Sequence, residues 1–148
     1  MEEALKRSFR YLSRKMYTVE ELSEKLRRDG FPPEVVEETA LFLQDKGYLN
    51  DQEYIRTYLE SIKSHRPKGF FAIRDELRRK GIPASQLSSL REEFYPLEEE
   101  LKDALTILER ERERNINDLE KLRQKLTRRG FTWEVIERAL LHWEEDRP

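Results

Sequence analysis

The sequence predicts an all-α protein: an elongated array of three tandem three-helix repeats, nine helices in all, with no sheet. Three observations carry that prediction. A short pattern recurs at intervals of about fifty residues, apolar residues fall at helical spacing along the chain, and no segment alternates with the period of two that a half-buried strand requires. The pattern reads Leu22, Leu26, Gly30, Phe31 in the first copy, Ile73, Leu77, Gly81, Ile82 in the second and Leu122, Leu126, Gly130, Phe131 in the third. A basic-rich triplet stands before each glycine, so helix, stop and re-entry are specified alike. Gly30, Gly81 and Gly130 are therefore the structural glycines of the repeat, because a left-handed cap costs a residue with a Cβ more than it costs glycine.

The register continues beyond the glycines. Phe31, Val36 and Leu43 correspond to Ile82, Leu87 and Phe94, and again to Phe131, Ile136 and Trp143. Such spacing keeps the residues near one face of a 3.6-residue helix, so a second helix in each copy carries its own apolar stripe.

Within the first repeat, residues 1–49, Leu5, Phe9 and Leu12 mark a helix over about 2–15. Thr18 with Glu21 three residues later is a capping-box signature for a second helix, which Gly30 closes. Pro32 and Pro33 open a third, whose buried face is Val35, Val36, Ala40 and Leu43, up to a cap at Gly47. The second repeat, 50–95, starts with Asn50 and Asp51 as N-caps of a helix bearing Tyr54, Ile55, Tyr58, Leu59 and Ile62. The stretch from His65 to Gly69 interrupts it, the fifth helix runs to Lys80 and the sixth spans about 83–94. In the third repeat, 96–148, Pro96 restarts the chain into a long helix with Leu97, Leu101, Leu105 and Leu108 as its buried stripe. Glu98, Glu99 and Glu100 sit at its positive end, Asn115 to Asn117 breaks it, and two further helices run to Arg129 and over about 132–145.

Composition narrows the function. Of 148 residues, 41% are charged and 36% hydrophobic, the profile of a helical protein rich in surface ion pairs. With no cysteine, disulfide scaffolds, thiolate zinc sites and cysteine nucleophiles are excluded. No apolar run approaches the roughly 20 residues of a membrane span, and the first residues are Glu-rich rather than basic then apolar, so the expectation is a cytoplasmic protein that does not engage a membrane. The net charge of −2 is unevenly spread: 9 basic and 10 acidic residues in 1–49, 9 and 7 in 50–95, 11 and 14 in 96–148. The middle repeat is the basic one.

Catalytic chemistry finds no footing. The two histidines, His65 in a basic turn and His142 near the C-terminal end, have no triad setting. His142 and Asp146 at i,i+4 fall short of a metal site and read as a surface pair. The acidic runs at Glu98–Glu100 and Glu144–Asp146 are accounted for by helix dipole and solvation, and the isolated glycines form no phosphate loop. The sequence thus predicts no catalytic residue, metal or cofactor. What remains is surface: Lys63, Arg66, Lys68, Arg74, Arg78, Arg79 and Lys80 stand against only Asp75 and Glu76, beside exposed-looking Phe70 and Phe71. Such a patch suits an anionic partner; the same run also reads as a solvated helix face with its aromatics turned inward. The other basic helix ends, Arg27 with Arg28 and Arg128 with Arg129, read as partners of helix C-termini.

Taken together, these residues resemble the RecX family of RecA regulators over essentially the whole chain. The resemblance rests on Ala4–Leu5 to Tyr11–Leu12, Glu21–Leu22, the Lys46–Asp51 segment leading to Tyr54, the Lys68–Gly69 to Ile82 segment, and Arg129–Gly130–Phe131. It implies a curved protein lying in the helical groove of the RecA filament on DNA, non-catalytic, monomeric and without cofactor, that lowers RecA's ATP hydrolysis, strand exchange and co-protease activities. Phe70 and Phe71 occupy positions where basic residues are common in that family, and the pI is about 5.9, so DNA is the secondary partner and the filament the primary one. The competing reading is a helical module that binds nucleic acid directly through the Lys63–Lys80 stretch.

Overall fold

The computed structural model describes residues 1–146; the last two positions of the third repeat lie outside them. Among the described residues there are nine α-helices and one π-helical turn, and no strand. The helices are α1 (Glu2–Leu12), α2 (Val19–Arg28), α3 (Pro33–Asp45), α4 (Asp51–His65), α5 (Phe70–Arg79), α6 (Ala84–Leu87), α7 (Leu97–Glu113), α8 (Leu119–Arg128) and α9 (Trp133–Glu145), with the π turn at Leu90–Phe94.

Three hydrophobic clusters follow one another along the chain. The first gathers Tyr17, Leu22, Leu26, Val36, Leu43 and Leu49; the second Ile55, Leu59, Ile73, Leu77, Ile82, Leu90 and Tyr95; the third is built on Ile107, Leu108, Leu122, Leu126, Phe131, Ile136 and Trp143. The repeated positions Leu22, Ile73 and Leu122, and Leu26, Leu77 and Leu126, are all buried, so each unit nucleates its core on the same two turns of its second helix. Each of those helices ends in a Schellman motif. Gly30, at φ +95°, donates to Arg27 while Phe31 donates to Leu26; Gly81 (φ +94°) with Ile82 and Gly130 (φ +85°) with Phe131 repeat the arrangement.

Two expectations are corrected. The sixth helix does not run unbroken from 83 to 94, because the Ser88 and Ser89 hydroxyls donate to the carbonyls of Ser85 and Gln86 and compete with helix continuation. The chain resumes in the π turn, where Tyr95 donates to the Leu90 carbonyl and both side chains reach the core. On α7 the buried face is rotated from the leucine stripe: Glu100, Asp103, Ala104, Ile107, Leu108 and Glu111 are buried, whereas Leu97, Leu101 and Leu105 pack only partly against the cluster.

The units are joined by specific hydrogen bonds. At the first junction the predicted capping box forms, with Thr18 Oγ1 accepting from Glu21 N at 3.0 Å and Glu21 Oε1 from Thr18 N at 2.9 Å. The same hydroxyl donates to the Lys80 carbonyl at 2.6 Å, and Val19 N donates to Asp51 at 2.9 Å. Burial pushes the Asp51 carboxyl up. Since Thr18 serves both cap and junction, Thr18→Ala is expected to cost about 1–2 kcal/mol of unfolding free energy, checked by urea denaturation.

A cationic cleft between the second and third repeats

The loop from Arg66 to Gly69 lies against the end of α8. Gly69 N donates to the Arg129 carbonyl and Phe71 N to that of Gly130, both at 2.9 Å, and the Arg129 guanidinium donates to the Pro67 carbonyl at 2.6 Å. No side chain larger than glycine fits at 69, where a Cβ would stand 2.2 Å from the Phe131 Cα. The buried Tyr95 holds the loop from the other side: its hydroxyl lies 2.7 Å from the Asp103 carboxylate and 3.1 Å from the Lys68 carbonyl. Burial, with Asp103 adjacent, pushes the phenol's pKa upward, so it remains a proton donor.

This docking leaves a cleft of about 420 Å³ lined by Arg66, Lys68, Ala72, Arg79, Arg128 and Arg129. Among the described residues no carboxylate lies within 4 Å of Arg66, Lys68, Arg128 or Arg129, and Arg79 pairs only with Glu76 on its own helix at 3.1 Å. Burial, followed by the charges of Arg66 and Arg110, pushes the Arg129 pKa down. The cleft therefore concentrates positive charge in a chain of net charge −2.

The residues of the Lys63–Lys80 run do not share one surface. Arg66, Lys68 and Arg79 enter the cleft. Lys63 is paired with Glu99, whose pKa it lowers, and Arg78 is paired with Asp75. Arg74 lies 5.6 and 5.3 Å from the ring centroids of Phe70 and Phe71, and the Lys80 carbonyl is at the first junction. Phe71 is 45% exposed, while Phe70 is half-buried under Arg91, 4.2 Å from its centroid. Arg128 and Arg129, read from sequence as helix-end residues, belong to the cleft; a separation of 62 residues from Pro67 carried no sequence signal. In the first copy the equivalent of Arg128 is Arg28, paired with Glu24 at 3.3 Å, and the equivalent of Arg129 is the acidic Asp29.

Glu100 is likewise corrected. Far from being solvated, it is fully buried and accepts four hydrogen bonds: from Phe70 N (3.0 Å), Thr132 N (2.9 Å), Thr132 Oγ1 (3.0 Å) and Arg91 Nη2 (2.8 Å). The histidines remain as expected at the surface, His142 being 3.6 Å from Asp146. Among the described residues no group of three potential ligands is placed to hold a metal, and no helix is long and apolar enough to cross a membrane.

Three-helix units in series, hydrogen-bonded at their junctions and enclosing unpaired cations between two of them, define a helical-repeat protein with a cationic cleft. Residues 4–43 match the first three-helix domain of RecX and residues 50–88 the second. The chain is 32% identical to regulatory protein RecX of Caldanaerobacter subterraneus subsp. tengcongensis, over 93% of this chain and 69% of that relative. It is 29% identical to regulatory protein RecX of Bacillus pumilus, over 93% of this chain but only 56% of the relative, so it spans little more than half of that protein's length. A crystal structure of RecX from Lactobacillus salivarius has the same fold, with a TM-score of 0.85 at 21% identity, covering 97% of this chain and 96% of that one. The chain belongs to the RecX family.

Proposed function

We propose that this chain is a non-catalytic, monomeric, cytoplasmic regulator of the RecA recombinase. It binds in the groove of the RecA–DNA filament and lowers ATP hydrolysis, strand exchange and co-protease activity in DNA repair and the SOS response. The observation that carries this reading is membership of the RecX family along nearly the whole chain. Serial units suit a filament because each can meet an equivalent subunit surface, and weak contacts on linked units act at high effective concentration. Leu41 and Leu141 support such repetition: each lies eleven residues after its repeat glycine, and they are 59% and 60% exposed. Exposed leucines at one register position offer the same apolar contact twice.

The test is RecA's single-stranded-DNA-dependent ATP hydrolysis with increasing amounts of the protein. Inhibition well below one protein per RecA is the expected result; an unchanged rate at equimolar protein sinks the proposal.

A further inference from the structure

Gly30 and Gly130 set the third repeat a hundred residues after the first, so the two compare side chain by side chain. In the third, Arg123 on α8 meets Glu137 on α9 in a forked pair, Nε to Oε1 at 2.9 Å and Nη2 to Oε2 at 3.1 Å. That contact leaves Glu137 half-buried and holds its carboxyl below the usual range. In the first repeat the carboxylate is present as Glu37, but Ser23 stands at the arginine position and Ala40 at that of Leu140. With smaller side chains at both places, a groove of about 380 Å³ opens between α2 and α3, its walls including Val19, Ser23, Pro33, Val36, Glu37 and Leu41. The second repeat shows the converse: Arg74 holds the arginine position, Ser88 the carboxylate position, and the guanidinium lies over the rings of Phe70 and Phe71.

We infer that the α2–α3 groove of the first repeat receives an arginine side chain presented by a protein partner, its guanidinium on Glu37 and its aliphatic stem along Val19, Val36 and Leu41. The inference stands apart from the filament reading, and its test uses no RecA.

Charge, shape and an internal precedent agree on this occupant. Among the described residues no cation lies within 4 Å of the Glu37 carboxylate. The cation that lines the groove, Arg27, is engaged by Glu20 at 3.2 Å and Glu24 at 2.8 Å, so it does not compete. The walls beside Glu37 are apolar, and Leu41 is 59% exposed. An arginine suits both features, because its stem covers apolar surface while its planar fork matches a carboxylate bidentately. A lysine ammonium is a compact, strongly hydrated charge without that fork. The Arg123–Glu137 pair shows the same fork seated on the same carboxylate position within this fold. An exposed ion pair alone contributes little, so the groove walls and neighbouring surfaces of the partner must add to it.

The experiment is a titration of the ¹⁵N-labelled full-length chain with the peptide acetyl-Leu-Arg-Leu-amide, followed by amide chemical shifts. Saturable shifts are expected at Ser23, Glu37 and Leu41, with a Kd on the order of 1 mM for one charge-assisted contact with an apolar flank. The same peptide with citrulline, which has the shape of arginine without its charge, is expected to bind about tenfold more weakly or worse. Glu37→Gln is expected to remove that difference between the two peptides. Ser23→Arg, which rebuilds the third repeat's pair inside the groove, is expected to weaken arginine-peptide binding at least about tenfold by intramolecular competition. Glu34→Gln, exposed on the same helix outside the groove, should change affinity less than about twofold. Helical circular dichroism checks each variant; Ser23 is buried, so Glu37→Gln at an exposed position decides the matter if Ser23→Arg does not fold.

No saturable shift at about ten times the expected Kd, or shifts that map away from α2 and α3, overturns the inference. Equal affinity for the citrulline peptide, or for acetyl-Leu-Lys-Leu-amide, overturns the assignment to arginine, as does an unchanged affinity in Glu37→Gln.

Discussion

Replacing Glu100 by alanine is expected to lower the unfolding free energy by about 3–5 kcal/mol, the cost of breaking a buried, fully hydrogen-bonded ion pair. Each carboxylate oxygen of Glu100 receives two donors, which exhausts its accepting capacity. The donors also explain its position. Helix α5 begins at Gly69 with no side-chain cap and no acidic residue in its first turn, and α9 begins at Thr132 with no side-chain cap bond. Glu100, projected from α7, supplies the missing anion to both N-termini, where helix dipoles favour it, and Arg91 neutralises the remaining charge. Alanine would leave two backbone N–H groups and a hydroxyl without a partner in a site closed to water. Thermal unfolding is expected to shift down by about 10 °C, at roughly 2–4 °C per kcal/mol for a chain of this size. Glu98→Ala, at an exposed position two residues earlier, should change stability by less than about 0.5 kcal/mol. Equal effects for the two variants would show that Glu100 is not the tie between α5, α7 and α9.

Gly69→Ala should be comparably damaging, and for a reason no local rule supplies. Gly69 has an ordinary φ of −85°, so alanine is tolerated by the backbone conformation. The obstacle is close approach: the added Cβ would lie 2.2 and 2.3 Å from the Phe131 Cα and N and 2.5 Å from the Gly130 carbonyl carbon, all backbone atoms that cannot swing aside. Relief requires separating the 66–71 loop from 129–131, which breaks both cross-repeat backbone hydrogen bonds and opens the cleft. Overpacking together with those losses gives an expected cost of about 3–5 kcal/mol. Gly30→Ala is the comparison. Its Cβ would meet nothing within 4 Å, so only the left-handed φ of +95° is paid for, about 1–2 kcal/mol. Denaturant unfolding of both variants decides the matter; a Gly30 effect as large as that of Gly69 would mean that conformation, not close approach, dominates at both.

The unit was legible from local pattern. Gly30, Gly81 and Gly130 announced their caps, Thr18 and Glu21 their capping box, and the paired positions from Leu22 to Leu126 their burial, because each depends on residues within a few turns of one another. The leucine stripe of α7 misled because Leu97, Leu101 and Leu105 do obey helical spacing, yet the face that tertiary packing buries is rotated toward Glu100 and Asp103. Periodicity identifies an apolar face but does not register a carboxylate that the fold needs inside. The run of Ser88 and Ser89 was a local signal that pattern reading passed over, and it splits the sixth helix.

The cleft belongs to the other category. A charge run from Lys63 to Lys80 is visible in one dimension, but whether a cation is spent on a neighbour or left free depends on which carboxylate the fold brings near it. Lys63 meets Glu99, Arg27 meets Glu20 and Glu24, while Arg66, Lys68 and Arg128 meet none among the described residues. The sequence by itself determined an all-helical, three-unit chain, since helix starts, stops and core positions are written in residues three to twelve apart. Only the tertiary structure decided the cationic cleft, because the 66–69 loop and the end of α8 are about sixty residues apart and are joined by backbone hydrogen bonds that carry no side-chain signature.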